Sequence, residues 1–286
     1  MPDPVLITTD LDRTLIFSSR AIAQLGGALP AEPVEASGGQ TAAELCRAAR
    51  DALAALPSRV RICVATSRSI SRLRRLLLPF AVPYAIAANG GIVLIDGQAD
   101  PDWAARIRGL VARAAPAAEV RAVLTGSRPG CWGLAGTGGS AGPPWLQRMS
   151  DEDDMCCLAI VDTELLLAGE FAEIASRCSE LGWEASLVGR KLYAFPAGFG
   201  KEHAAAFVAE KVAGDAGAEP MRLAAGDTEH DRLMLAEADR AWVPARSDLA
   251  ACPAGEFVVT SQPGHAAAAQ ITREWLQACC GRLQPS

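Results

Sequence analysis

Two carboxylates, Asp10 and Asp12, stand two residues apart where the apolar run Val5-Leu6-Ile7-Thr8-Thr9 ends, with Thr14 two further on. The branched run reads as a buried strand, and strand residues two apart point the same way, so both carboxylates face one pocket. Like charges held that close are costly unless a cation or a proton lies between them. A magnesium ion, which favours one or two carboxylates plus a substrate phosphate, is the simplest resolution. Taken alone, the segment is equally compatible with a strand, a turn and a helix cap supplied by Asp12 or Thr14.

Three further junctions carry groups of matching chemistry. Val60–Ala65 is a second buried strand and ends in Thr66-Ser67-Arg68. Gly200-Lys201 opens a helix running to about Ala213. Met221–Ala225 is a strand ending in Gly226-Asp227-Thr228-Glu229-His230-Asp231, where Asp227 and Asp231, four apart at a helix start, are expected on one face towards the metal side of the pocket. Singly, each has a bland reading as a turn, a cap or a solvated lysine. Together, each at a junction, they outline a site for an anionic substrate.

The elements that must position these groups follow from periodicity. Thr41–Leu56 reads as an amphipathic helix closed by Pro57, Ile70–Leu78 as a helix stopped by Pro79, and Tyr84–Ala88 as a third strand with Ile92–Ile95 as its hairpin partner across Asn89-Gly90-Gly91. Residues 18–38 are expected to hold a short helix and a loop. Strand alternating with helix indicates an α/β fold, a Rossmann-like parallel sheet with helices on both faces, which binds ligands beyond the carboxyl ends of its strands. Ala241–Val243, Phe257–Thr260 and a closing helix, Gly264–Cys280, complete it.

From 97 to 189 the texture changes to an α+β pattern, with a helix over Pro101–Ala114, a strand over Val120–Leu124, a Gly- and Ser-rich stretch to Pro144, and the units Met155–Val161, Gly169–Leu181 and Trp183–Val188. This reads as a module inserted into a core formed by 1–96 and 190–286. Trp132, Trp145 and Trp183 are expected in its core or interface, the acidic run Asp151–Asp154 in a solvated loop, and Cys156-Cys157 in a half-buried strand. His203 and His265 have no evident partners and are expected at the surface.

Composition narrows the classes. A chain of 286 residues that is 50% apolar can bury a full core. Its net charge of −6, without a long basic run, argues against a nucleic-acid or anionic-membrane partner. Nine cysteines without a CxxC pair, and only three histidines, argue for reduced cytosolic thiols rather than zinc or disulfides. With no apolar run near 18 residues and no signal-like N-terminus, a cytoplasmic protein is expected. Oligomeric state is not legible.

The order Asp-x-Asp-x-Thr, hydroxyl, Lys, Gly-Asp-x-x-x-Asp resembles the haloacid dehalogenase (HAD) superfamily of phosphohydrolases. The insertion between Thr66 and Lys201 resembles the subgroup with a type IIB cap, which includes sugar-phosphate phosphatases of the Cof kind, sucrose-phosphate phosphatase and mannosyl-3-phosphoglycerate phosphatase. Thr66-Ser67-Arg68 and Asn89-Gly90 resemble that subgroup's Thr-Gly-Arg and Asn-Gly stretches. The resemblance implies a magnesium-dependent phosphatase of a small phosphorylated metabolite, a sugar or polyol phosphate. Asp10 would be the nucleophile that forms an aspartyl-phosphate and Asp12 the general acid and base. Magnesium would be held by Asp10, the backbone carbonyl of Asp12, and Asp227, with Asp231 binding through water or orienting the others. Thr66, Ser67, Lys201 and the backbone at Leu11 would contact the phosphoryl group, and Arg13, Arg68, Asn89 and Gly90 the substrate.

Three positions depart from the pattern. Arg13 stands where the family usually has Gly, so it must be tolerated by a helical backbone or reach the substrate; His230 replaces an Asn and Ser67 a Gly. A phosphomutase of the same superfamily and a catalytically silent phosphate-binding regulatory module, with Arg13 and His230 as signs of decay, are the other readings. Phosphoryl retention would mark the first, and a lack of magnesium-dependent stabilisation by a phosphate mimic the second.

Overall fold

The computed structural model describes residues 3–126, 142–152, 155–251 and 255–281; Cys131, Trp132, Asp153, Asp154 and Cys252 lie outside them. In chain order the elements are β1 (Val5–Thr9), β2 (Ile16–Phe17), α1 (Ser19–Leu25), β3 (Ala31–Ser37), β4 (Gln40–Cys46), α2 (Arg47–Ala54), β5 (Val60–Ala65), α3 (Ile70–Leu73), β6 (Tyr84–Ala87), β7 (Ile92–Ile95), β8 (Gln98–Ala99), α4 (Pro101–Val111) and α5 (Ala117–Leu124). Then come β9 (Leu146–Glu152), β10 (Cys156–Val161), α6 (Ala168–Glu180), β11 (Trp183–Val188), β12 (Lys191–Pro196), α7 (Lys201–Ala216), β13 (Met221–Ala225), α8 (Arg232–Ala236), β14 (Arg240–Val243), β15 (Val258–Val259) and α9 (Gly264–Cys279).

The chain divides into two compact units, Met1–Trp103 with Gly200–Ser286, and Ala104–Phe199. The first is built on an eight-stranded sheet of order β15-β14-β13-β1-β5-β6-β7-β8. Strands β15 to β6 run parallel, and β7 and β8 are antiparallel additions. Helices cover both faces. Ile7, Ile62, Val64 and Leu223 pack in one cluster with Ala49 and Leu53 of α2 and Ile271 and Trp275 of α9, while α7 lies along β1, β5 and β6. Burial on both sides explains why these strands are continuous apolar runs rather than alternating ones. β1 is central, so its carboxyl end is where the parallel strands bring their loops together.

Several elements differ from the expectation. Thr41–Cys46 is not helix: β4 pairs with β3 across a turn at Gly38-Gly39, φ +58° and +77°, and with β2 to form a three-stranded sheet. Local helical preference there yields to cross-strand pairing. The helix after Thr66 stops at Leu73 rather than Leu78, and the Leu77 N–H is instead donated to the Val34 carbonyl at 2.8 Å.

The second unit has a four-stranded antiparallel sheet, β11-β12-β10-β9, covered by α5 and α6. Because β12 pairs along its length with β11, Lys191–Pro196 belongs to this unit. Val120–Leu124, expected as strand, is helix: Val120, Val123 and Leu124 recur at helical spacing and are buried against Ile174 and Cys178. Trp145 and Trp183 are core residues, and Cys156 and Cys157 are fully buried rather than half-buried. No helix among the described residues is long and apolar enough to cross a membrane.

His265 corrects a further expectation. It is buried at the start of α9, edge-on to Phe17 with ring centroids 5.4 Å apart; its Nδ1 accepts the Leu29 N–H at 3.4 Å, and its Nε2 has no partner among the described residues. Burial, partly opposed by Glu44, holds its pKa below 6.5. The unfolded chain therefore takes up this proton first, and stability is lost as the pH falls below about 6.5. His265→Asn, which retains an acceptor for Leu29, is expected to reduce that loss between pH 7.5 and 5. Comparing thermal midpoints of variant and parent across that range checks it.

Candidate active site

The junctions singled out in the sequence gather at the carboxyl end of the parallel strands. β1 delivers Asp10, 6% exposed, whose N–H is donated to the Ala225 carbonyl of β13 at 2.9 Å. Lys201, the first residue of α7 and 2% exposed, donates from Nζ to Asp10 Oδ1 and to Asp231 Oδ1, each at 2.6 Å. Asp231 is fully buried and does not sit on a helical face with Asp227; it closes a short turn, Glu229–Asp231. Its Oδ2 accepts the N–H groups of Asp227 and Thr228 at 3.1 and 3.0 Å and the Thr228 hydroxyl at 3.1 Å. Both oxygens of Asp231 thus accept hydrogen bonds.

Close packing of glycine backbones sets these positions. A Cβ at Gly226 would lie 2.4 Å from Asp231 Cβ, and one at Gly90 only 2.2 Å from the carbonyl oxygen of Gly200, next to Lys201. Gly90 ends three successive residues with positive φ, Ala88 at 49°, Asn89 at 54° and Gly90 at 103°. The Ala88 N–H is donated to the Arg68 carbonyl and that of Asn89 to the Thr66 carbonyl, at 2.8 and 3.1 Å. This left-handed turn therefore braces both the Thr66–Arg68 loop and the start of the lysine helix. Strain of this kind persists only where the surroundings over-determine it.

The electrostatics are those of crowded carboxylates. Burial, with smaller contributions from Asp231 and Asp12, raises the Asp10 carboxyl to about 7 against the opposing pull of Lys201. Asp227 is raised well above the usual carboxylate range by burial and by Asp10 and Asp231. Although burial works against its charge, Lys201 is held far above its ordinary value by Asp10 and Asp231. One buried ammonium thus faces three buried carboxylates, an arrangement that favours a further cation. Among the described residues no group of three or more His, Cys, Asp and Glu side chains converges as a ready metal cage. Magnesium does not require one, since one or two carboxylates with waters and a substrate phosphate suffice. Asp10 and Asp227, both raised chiefly by burial and then by neighbouring carboxylates, are a donor set that fits it.

Asp12 pairs with a different cation from Asp10. Its carboxylate, 45% exposed, is gripped by Arg68, Nε to Oδ2 and Nη2 to Oδ1, both at 2.7 Å. Arg68 Nη1 donates in turn to Glu35 Oε2 at 2.8 Å, and its N–H is donated to the hydroxyl of buried Thr66 at 3.1 Å. Glu35 has no local signal in the sequence that would have found it. Arg13 is neither helical nor directed away from the carboxylates: its φ is 67°, and its Nε lies 3.9 Å from Asp227 Oδ2. A non-glycine residue held there costs about 1 kcal/mol, partly offset by that ion pair. Asn89 is buried, and its Oδ1 has no partner among the described residues. Leu11 is fully buried, whereas Ser67 and His230 are partly exposed. An open hollow of about 550 Å³, lined by Leu53, Pro57, Val60, Phe80 and Pro83 among others, is not this site: it lies at the opposite end of β5.

A parallel sheet with this inserted α+β unit is the fold of the HAD-superfamily phosphatases among the solved structures. The chain is similar to the sucrose-phosphatase of Synechocystis, solved with sucrose and phosphate, with a TM-score of 0.63 at 13% identity over 96% of this chain and 98% of that one. It is also similar to a haloacid dehalogenase-like hydrolase of Bacillus subtilis (TM-score 0.55, 13% identity, 98% and 93% covered) and to the trehalose-6-phosphate phosphatase of Aspergillus fumigatus (0.52, 13%, 95% and 93%). At such identities the likeness establishes the fold. No family model and no curated protein sequence matches the chain.

Proposed function

We propose that the chain is a magnesium-dependent phosphatase of a small phosphorylated metabolite, a sugar or polyol phosphate, working through an aspartyl-phosphate on Asp10. The observation that carries this reading is the buried Lys201 bridging Asp10 and Asp231 at the carboxyl ends of β1 and β13. Lys201 holds Oδ1 of Asp10, and Oδ2, which accepts no hydrogen bond among the described residues, is the oxygen that attacks phosphorus. Asp12 gives a proton to the departing alcohol oxygen, then takes one from the water that hydrolyses the acyl-phosphate. Lys201, the Thr66 hydroxyl and the Leu11 backbone stabilise the phosphoryl oxygens. Asp10, the Asp12 carbonyl and Asp227 would hold magnesium, which when bound would supply charge that offsets repulsion between Asp10 and the incoming dianion. Asp231 orients Lys201 and the Asp227–Thr228 backbone.

The inserted unit takes the role of the specificity cap, and Arg13 and Asn89 are candidate substrate contacts. The fold shared with phosphatases of sucrose phosphate and trehalose 6-phosphate supports a sugar phosphate. Phosphate release from a panel of sugar, polyol and nucleotide phosphates, with and without magnesium, tests the reading. Release from a few members that requires the metal supports it. Isomerised product with its phosphoryl group retained would replace it with a mutase. Silence across the panel, with no magnesium-dependent stabilisation by vanadate, would replace it with a silent module.

A further inference from the structure

We propose that Glu35 is a positioning residue for Asp12, acting through Arg68; this rests on the reading of Asp12 as the general acid and base. The geometry starts from a difficulty. Asp12 is nearly half exposed, and a carboxylate on an exposed turn samples several rotamers, whereas proton transfer needs one. The bidentate grip of Arg68 removes that freedom, since the guanidinium fork fixes the carboxylate plane as well as its place.

The fork is itself a long side chain and needs anchoring. Its backbone is fixed through the Thr66 hydroxyl and the Ala88 N–H, and its remaining edge is fixed by Glu35, 13% exposed, at 2.8 Å. Glu35 is aimed there by an irregularity: the register of β3 on β4 shifts on both sides of it, between Pro33 and Glu35 and again between Glu35 and Ala36. Such bulges re-aim a side chain out of the ordinary alternation. The Val34 carbonyl, receiving the Leu77 N–H, ties the same stretch to the segment after α3. The hairpin β3–β4 therefore ends in one carboxylate that reaches the acid and base through a single guanidinium.

A role through Asp12 is separable from a role in folding or substrate binding by the leaving group. An alkoxide leaving group needs a proton, whereas p-nitrophenolate departs as a stable anion. Glu35→Ala is expected to slow first-turnover release of the alcohol from an alkyl phosphate about tenfold or more, and that of p-nitrophenol by less than about threefold. Glu35→Gln, which keeps an acceptor, is expected to lie between Glu35→Ala and the parent, and either variant decides the matter if the other does not fold. Asp12→Asn is run alongside and is expected to show the same selectivity more strongly. Equal slowing of both substrates, or none, in the Glu35 variants would overturn the inference while leaving the phosphatase reading intact. Absence of leaving-group selectivity in Asp12→Asn would overturn the assignment of Asp12 itself, and this inference with it.

Discussion

Asp10→Asn is expected to reduce phosphate release by at least about 10⁴-fold, because in the proposed mechanism it removes the nucleophile, a loss not compensated by the groups that position it. The same substitution is expected to stabilise the metal-free protein. The Asp10 carboxyl is raised from 3.8 to about 7 in the folded chain, chiefly by burial. Between those values the folded state keeps a proton that the unfolded chain gives up, so stability falls as the pH rises from about 4 to about 7 and stays reduced above it. Asn has the shape of the protonated group and no charge to lose. With a chelator present, its thermal midpoint should exceed the parent's at pH 8 by the equivalent of about 1–2 kcal/mol, and the two should converge near pH 4. Added magnesium should raise the parent's midpoint and leave that of Asp10→Asn nearly unmoved. Retained turnover would end the nucleophile assignment, and a midpoint independent of pH would end the electrostatic account of the site.

Lys201→Met carries the second large effect, and here activity and stability fall together. The ammonium makes 2.6 Å hydrogen bonds to two carboxylates and is 2% exposed. Its removal leaves Asp10, Asp227 and Asp231 buried with Arg13 at 3.9 Å from Asp227 as a neighbouring cation. Breaking a buried ion pair from one side costs about 3–5 kcal/mol. Loss of a preorganised charge on the phosphoryl oxygens costs about 10²–10³ in rate or more. The stability deficit should shrink as the pH is lowered, because protonation of Asp10 and Asp227 removes the uncompensated charge. Denaturant midpoints of parent and variant at pH 5 and pH 8 distinguish this from a simple packing defect, which would be the same at both.

The residues that form this cluster were legible in the sequence for a definite reason. Asp10, Thr66 and Asp227 each follow a run buried on both sides, and Lys201 opens a helix after glycines, so each could be placed at an element end without knowing the fold. The elements that were misread are those where local composition and long-range pairing disagree. Thr41–Cys46 is rich in Ala, Leu and Glu, yet it pairs as a strand because the Gly38-Gly39 turn brings it against β3. Val120–Leu124 is branched, yet its buried positions recur at three and four residues, a signal that was present and outweighed by residue type. The left-handed Arg13 could not be anticipated, since only the surrounding loop holds a non-glycine residue there. Glu35 was invisible because its role depends on a bulge and on a partner 33 positions away.

The left-handed turn at Asn89-Gly90 has a bearing on how such a protein could be rebuilt. Trp103, where the chain leaves the first unit, donates from Nε1 to the Gly90 carbonyl at 2.9 Å, and Gly200, where it returns, packs against the α-carbon of the same Gly90. Trp103 is further fastened by a tilted ring contact with Phe207 of α7, centroids 5.1 Å apart. Exit and re-entry are thus fixed on one residue, as in a socket with two adjacent pins. Excision of residues 104–199 with a short bridge from Trp103 to Gly200 is expected to leave a folded first unit, which its thermal transition checks. The same two pins define where a foreign module can be spliced in without redrawing the sheet beneath.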